Sequence, residues 1–266
     1  MRAFRDSELI SLALGSTSQG NQEKYKTVDG RYYVKARFEY QQRLWRDNLV
    51  EVIASMYALR CSLPDMVKVV KQGLCLIGAK EGSYSEAFDR DGSLFVPFSR
   101  AAAVRLDTAS VHGIARDATQ WVPFLINTYS DIVGEDATPY LVSMLLLDLV
   151  VANEDRHLGN FGFLCRRGEK QLNYSLLFDF GLGLFEHDGR YYPGMPLERA
   201  VKHIRLKPWG LKVSAALDFL ETNYSDLVKC MLPKSLSLED FEFPSDLSRD
   251  YFVWINERLG VKIGSV

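Results

Sequence analysis

The sequence predicts an α+β fold in two lobes, a mainly antiparallel β lobe over residues 1–80 and a mainly helical lobe over residues 81–266. Short β-rich runs broken by Gly-containing turns crowd the first lobe, whereas helix-length apolar patterns at 141–151, 214–231 and 246–259 dominate the second. A hairpin pattern, with strands at 161–165 and 174–178 around a polar turn at 166–170, interrupts the helical half. The 266 residues contain no Pro- or Ser-rich linker and no internal repeat, so the two lobes belong to one unit.

From the amino terminus, Gly15, Ser16, Thr17, Ser18, Gln19, Gly20, Asn21, Gln22 and Glu23 are small or polar and read as a loop able to present backbone N–H groups to an anion. No Gly-Lys-Ser/Thr follows at the spacing of a Walker A loop. Segment 24–28, the turn Asp29-Gly30 and segment 31–37 form a hairpin by the Asp-Gly rule. Lys35, in its second strand, is either a solvated strand lysine or a group reaching into a site. Residues 44–59 place Leu44, Asn48, Val52, Ser55 and Leu59 on one stripe, broadened by Val50, Ile53 and Tyr57, and read as a helix packed on the sheet. Its Glu51 is the leading anionic partner for Lys35, with Glu39 and Asp47 as alternatives and a surface role for Glu51 also open.

Strands at 66–71 and 74–79, joined by Gln72-Gly73, complete the sheet. The chain is expected to cross between lobes near 80–83, where Gly78 and Gly82 loosen the backbone and Lys80 and Glu81 either meet a base or form an ordinary turn. Thr138 and Pro139 signal a helix start, and the apolar run 141–151 reads as a buried helix that delivers the next loop. Asp148 interrupts that run, either in the bland role of a polar residue on the helix's less buried face or bonded to a neighbouring loop, or in a catalytic one.

That next loop carries the chemistry. Asp155 precedes Asn160 by five residues, and Asp179 follows Asn160 by 19, within Phe178-Asp179-Phe180-Gly181. A carboxylate near a reacting hydroxyl, an amide oxygen able to bind a metal and a second carboxylate bridging metal to phosphate are what phosphoryl transfer from Mg-ATP requires. In this reading Asp155 orients the acceptor or takes its proton, Asn160 and Asp179 bind Mg²⁺, Lys35 holds the α- and β-phosphates, Glu51 orients Lys35, and His157 organises the loop. The bland alternative is an Asx-type turn at 155–160 with Asp179 capping a loop.

These separated segments resemble the bacterial HipA-like kinases, including their shorter CtkA- and HipT-type members. Gly20, Asn21, Gln22, Glu23 and Lys24 match a Gly-x-Gln-Glu-Lys pattern, Lys35 the strand lysine, Asn153, Asp155, His157 and Asn160 the pattern Asn-x-Asp-x-His-x-x-Asn, and Asp179 the metal-binding Asp. The resemblance spans roughly residues 15–185. It implies an ATP- and Mg²⁺-dependent protein kinase acting on Ser or Thr of a protein substrate. It also implies autophosphorylation among Ser16, Thr17 and Ser18, which are otherwise small only for loop flexibility. Longer relatives carry an extra subdomain before the glycine-containing loop, here near residue 15, so any such module is expected from a separate regulatory or antitoxin chain. Gly159 stands where the family often has Lys. Asp-Arg-His with Asp-Phe-Gly also resembles phosphatidylinositol kinases. A small-molecule kinase of aminoglycoside or inositol type and a nucleotide-binding pseudokinase module stay open as alternatives.

Composition excludes other classes. With 32 basic and 34 acidic residues the formal net charge is -2, which argues against general electrostatic attraction to nucleic acid. No apolar run is long enough to span a bilayer, and Arg2, Arg5, Asp6 and Glu8 are unlike a signal peptide, so a cytoplasmic location is expected. Cys61, Cys75, Cys165 and Cys230 show no paired motif and read as reduced thiols. The stretch 189–212 carries Arg190, Arg199, Lys202, Arg205, Lys207 and Lys212 with Tyr191, Tyr192 and Trp209. It either meets an acidic or RNA-associated acceptor or forms an amphipathic helix with a solvated charged face.

Overall fold

The computed structural model describes residues 1–12, 22–37, 39–40, 43–89, 92–108, 111, 118–166, 168–169, 171–186 and 194–264. The first lobe contains β1 (Arg2–Phe4), β2 (Leu9–Ser11), β3 (Lys24–Thr27), β4 (Tyr32–Ala36), the small pair β5 (Glu39–Tyr40) and β6 (Arg43–Leu44), α1 (Asp47–Ala58), β7 (Gln72–Ile77) and β8 (Lys80–Glu86). Six of these strands form one sheet in the order β1-β7-β8-β4-β3-β2, antiparallel except where β1 runs parallel to β7. The Asp29-Gly30 turn forms as expected. Asp29 Oδ1 accepts hydrogen bonds from the Thr27 hydroxyl and the Arg31 N–H, at 2.6 and 3.0 Å.

The second hairpin differs from expectation. Its turn lies at Gly78, with φ of +58°, while Gln72 and Gly73 are inside β7. Gly73 is needed because Tyr84 of the neighbouring strand lies over it, and a Cβ there would come within 2.6 Å of the ring. Residues 66–71 form no strand beyond a single bridge between Val69 and Leu177. The lobe boundary expected at 80/81 therefore falls at the start of β8, which stays in the sheet to Glu86. The crossing is made by the residues after Glu86, because β9 (Leu94–Pro97) already pairs with the second lobe.

Helix α1 also departs from expectation. Leu44 and Leu59 lie outside it, 53% and 62% exposed, and its buried apolar side is formed by Val50, Ile53, Ala54, Tyr57 and Ala58. The helix lies against β7 and β8 of the sheet as expected, but these side chains join the large core that continues into the second lobe, where Tyr57 meets Phe252 edge-on, and not the small sheet core of Phe4, Val34, Ala36, Cys75 and Ile77. The helix thus spans both lobes.

The second lobe comprises β9, α2 (Phe98–Arg105), α3 (Ala118–Val133), α4 (Thr138–Val150), β10 (Gly162–Cys165), β11 (Asn173–Tyr174), α5 (Leu197–His203), β12 (Arg205–Leu206), β13 (Leu211–Lys212), α6 (Val213–Met231), β14 (Ser235–Ser237), α7 (Asp246–Arg258) and β15 (Lys262–Gly264). Every residue of α4 from Tyr140 to Val150 is buried, so it is the axle of the lobe. Thr138 begins the helix rather than capping it, and Pro139 occupies the first turn. Among the described residues no helix is long and apolar enough to cross a membrane.

Packing sets thiol reactivity. Burial pushes Cys61 and Cys75 up to about 12, whereas Cys230 is exposed. A brief iodoacetamide pulse at about pH 8 is expected to alkylate Cys230 first and to reach Cys61 and Cys75 only after unfolding. Peptide mass mapping checks this, and equal labelling of all three in the native chain would contradict the packing.

Candidate active site

The site assembles around Lys35. Strand β4 buries Val34 and Ala36 on one face, so alternation turns Lys35 to the other, across from Lys24 on β3. The Lys35 ammonium lies 2.7 Å from Glu51 Oε1 and 2.7 Å from Asp179 Oδ1. Glu51 is 1% exposed, and its Oε2 accepts the Phe180 N–H at 3.2 Å and the Gln72 amide at 3.4 Å. The carboxylate on α1 therefore positions both the lysine and the backbone that follows Asp179. Glu39 and Asp47 do not take this place, since Asp47 instead receives the Gln22 amide at 2.6 Å.

Charge follows this geometry. Burial pulls Lys35 down, but the carboxylates of Asp179 and Glu51 outweigh it and hold the ammonium well above its ordinary value. Burial likewise raises Asp179, yet Lys35, Lys24 and Arg156 keep its carboxyl below the usual range. Burial, then the charge of Lys35, lowers Lys24. Two cations and two anions thus share a partly desolvated site.

The loop from Asn153 to Asn160 is fixed from beneath by Arg156, which is fully buried. Its guanidinium pairs with Asp148 at 2.9 Å, donates to the Asn160 carbonyl at 3.1 Å and to the Phe178 carbonyl, and stacks 4.4 Å from the Phe180 ring centroid. Asp148 also accepts from the Asn153 amide at 2.9 Å and the Trp209 indole N–H at 3.3 Å. Asp148 is thus bonded to neighbouring loops and fully buried, not set on a less buried face of the helix. Asp179 has φ of +64°, a left-handed conformation that Asp tolerates and that the bonds on either side of it enforce.

Above this support, Asp155 is partly open to solvent, and its N–H donates to Asn153 Oδ1 at 3.2 Å. Asn160 gives its amide N–H to the Asp155 carbonyl at 3.3 Å, while its buried Oδ1 has no hydrogen-bond partner among the described residues. An orphaned amide oxygen and the Asp179 carboxylate are hard donors of the kind Mg²⁺ takes alongside substrate phosphates. Among the described residues no group of three or more His, Cys, Asp or Glu could hold a metal on its own. A cavity of about 320 Å³ leads from Lys24, Lys35 and Asp179 to Val70, Phe88, Phe95 and Phe178. Phe178 stacks on Phe88 at 5.6 Å and meets Phe95 edge-on at 5.2 Å, giving the cavity an aromatic end suited to a base. A larger hollow of about 770 Å³ shares Val70 and Phe88 but reaches neither Lys35 nor Asp179.

Other expected residues lie elsewhere. Lys80 pairs with Glu23 at 3.0 Å and Glu81 with Arg37 at 2.8 Å, at the end of the β7–β8 hairpin, and neither lines the 320 Å³ cavity. The crossing segment instead supplies Phe88 and Asp89, and Asp89 receives Lys26 at 2.8 Å and the Tyr33 hydroxyl at 2.7 Å. Gln22 ties the Ala36 carbonyl to Asp47 rather than reaching that cavity. His157 stays within its own loop, accepting the Gly159 N–H on Nδ1 at 3.1 Å. Ser16, Thr17, Ser18 and Gly20 lie outside the described residues, as do Arg190, Tyr191 and Tyr192. The rest of the basic stretch is not one amphipathic helix but the short α5 and the β12–β13 hairpin, with Trp209 buried.

No protein-family model and no curated sequence matches the chain. Among solved structures, the Helicobacter pylori proinflammatory kinase CtkA is similar with a TM-score of 0.63 and 17% identity, over 97% of this chain and 94% of that one. HipA of Shewanella oneidensis MR-1, solved with HipB and operator DNA, aligns with a TM-score of 0.41 and 14% identity, over 94% of this chain and 66% of that one. Along nearly its whole length, then, the chain has the two-lobed kinase-like fold found in CtkA.

Proposed function

We propose that this chain is an ATP-dependent phosphotransferase acting on Ser or Thr hydroxyls of a protein. The observation that carries the reading is the single ammonium of Lys35 at 2.7 Å from both Glu51 and Asp179, residues far apart in sequence that a merely structural lysine has no need to join. The fold shared with a kinase and the resemblance to HipA-like enzymes support it. Bound Mg-ATP would supply the phosphoryl group and a cation across its phosphates, with Asn160 and Asp179 as the protein's metal ligands. Lys35 and Lys24 offset phosphate charge, and the aromatic end of the cavity receives the base. Asp155, open on the acceptor side, orients the hydroxyl and takes its proton. A protein substrate and a separate regulatory chain follow from the resemblance, as does phosphorylation within residues 16–18.

The test is transfer from γ-labelled ATP with Mg²⁺ to proteins of a bacterial lysate, followed by site mapping. Asp155→Asn is expected to lower transfer by about 10²-fold while leaving nucleotide affinity near that of the parent. No labelling by the parent chain, or full turnover by the variant, would remove the reading or the role of Asp155.

A further inference from the structure

The catalytic loop has no cation of its own facing the acceptor. Between Asp155 and Asn160 stand Arg156, His157, Leu158 and Gly159. Arg156 is fully buried against Asp148 and two carbonyls, and His157 accepts a backbone N–H through Nδ1. A cation arrives from another element. Lys207, in the turn between β12 and β13, places its ammonium 3.8 Å from Asp155 Oδ1, with the two side chains 61% and 38% exposed.

An ion pair this long and this open contributes little to stability, yet its supporting turn is firmly mounted. Trp209, two residues on, is fully buried and donates to Asp148 Oδ2 at 3.3 Å. The Arg205 N–H donates to Glu154 Oε1 at 3.2 Å, and the Gly210 N–H closes the turn on the Leu206 carbonyl at 2.9 Å. Asp148 thereby anchors Arg156, Asn153 and Trp209 together, so the hairpin and the catalytic loop share one buried support. Lys207 is an exposed group on an anchored turn beside the Asp155 carboxylate.

We infer that Lys207 is a further catalytic residue, one that binds the phosphoryl group in transit. The inference rests on the phosphotransferase reading above. In the step it serves, the acceptor oxygen forms a bond to the γ-phosphorus as the bond from that phosphorus to the β–γ bridging oxygen breaks. ADP leaves with that electron pair, and the hydroxyl proton passes to the Asp155 carboxylate. Until that proton is transferred, negative charge on the transferring oxygens lies beside the Asp155 carboxylate, and Lys207 offsets both; afterwards it offsets the charge on the phosphoryl oxygens alone.

The test compares the parent chain with Lys207→Met and Lys207→Arg. Calorimetry with Mg-ADP, and with Mg-ADP plus aluminium fluoride as a mimic of the phosphoryl group in flight, gives a readout independent of turnover. Lys207→Met is expected to bind Mg-ADP and to melt like the parent, while losing about 10- to 100-fold in affinity for the aluminium fluoride complex. Its kcat for ATP should fall by a similar factor at unchanged KM, and Lys207→Arg should recover most of both. Lys207→Met indistinguishable from the parent in both measurements overturns the inference, and a faster Lys207→Met would make Lys207 a block on the acceptor side instead. A parent chain that turns over no ATP overturns the phosphotransferase reading itself, and the role of Lys207 with it.

Discussion

Lys35→Met is expected to reduce phosphoryl transfer by about 10²- to 10³-fold, the scale seen when one preorganised charge is removed from a site. Two losses combine. The phosphates lose one of the two cations that face them, and Glu51 and Asp179, both 2.7 Å from the same ammonium, are left as neighbouring carboxylates without it. Their repulsion acts on a segment where Asp179 already holds a left-handed backbone, with φ of +64°. Nucleotide affinity should fall together with turnover, which separates this variant from Asp155→Asn. Calorimetric titration with Mg-ATP and steady-state kinetics provide the check, and unaltered nucleotide binding would show that Lys35 does not serve the phosphates.

Arg156→Met should cost about 3–5 kcal/mol of stability, because it strips the charged partner from a buried carboxylate. Asp148 would keep only the Asn153 amide and the Trp209 indole, and the carbonyls of Asn160 and Phe178 would lose their shared donor. The double variant Asp148→Asn/Arg156→Met removes both charges and should recover part of the loss. Urea unfolding of the two variants measures the difference. A single variant within about 1 kcal/mol of the parent would place the anchoring of the loop elsewhere.

The grouping of the candidate site was more legible in the sequence than the architecture, since Lys35, Glu51 and Asp179 do meet. Asp155, Asn160, Asp179, Lys35 and Glu51 could be named because phosphoryl transfer demands particular groups at particular spacings. Helix α4 was equally legible from its continuous apolar run, and α6 from the helical spacing of Ala216, Leu217, Leu220, Val228 and Met231. Helix α2, with the sequence Phe-Ser-Arg-Ala-Ala-Ala-Val-Arg, carries little pattern, and its anchor is tertiary, with Phe98 stacked on Phe161 at 5.1 Å. The misplaced β7–β8 turn has a similar origin. Gln72-Gly73 looks like a turn until the ring of Tyr84 is laid across Gly73. Lys207 reads in the sequence only as one charge in a basic stretch, because nothing local announces that Trp209 is buried against Asp148.

Helix α1 bears on how such a centre could be turned off. In many kinases activity is set by moving the helix that carries the glutamate, which makes or breaks its pair with the strand lysine. Here Val50, Ile53, Ala54 and Tyr57 sink into the core of the opposite lobe. Swinging the helix outward would expose all four, at about 1.5–3 kcal/mol for each of the larger side chains. The displacement would open the core on which the loop from Asn153 to Asn160 rests. Under the proposed function, inhibition without unfolding would leave α1 in place and act on what approaches it, by occluding the phosphates or the path of the acceptor hydroxyl to Asp155.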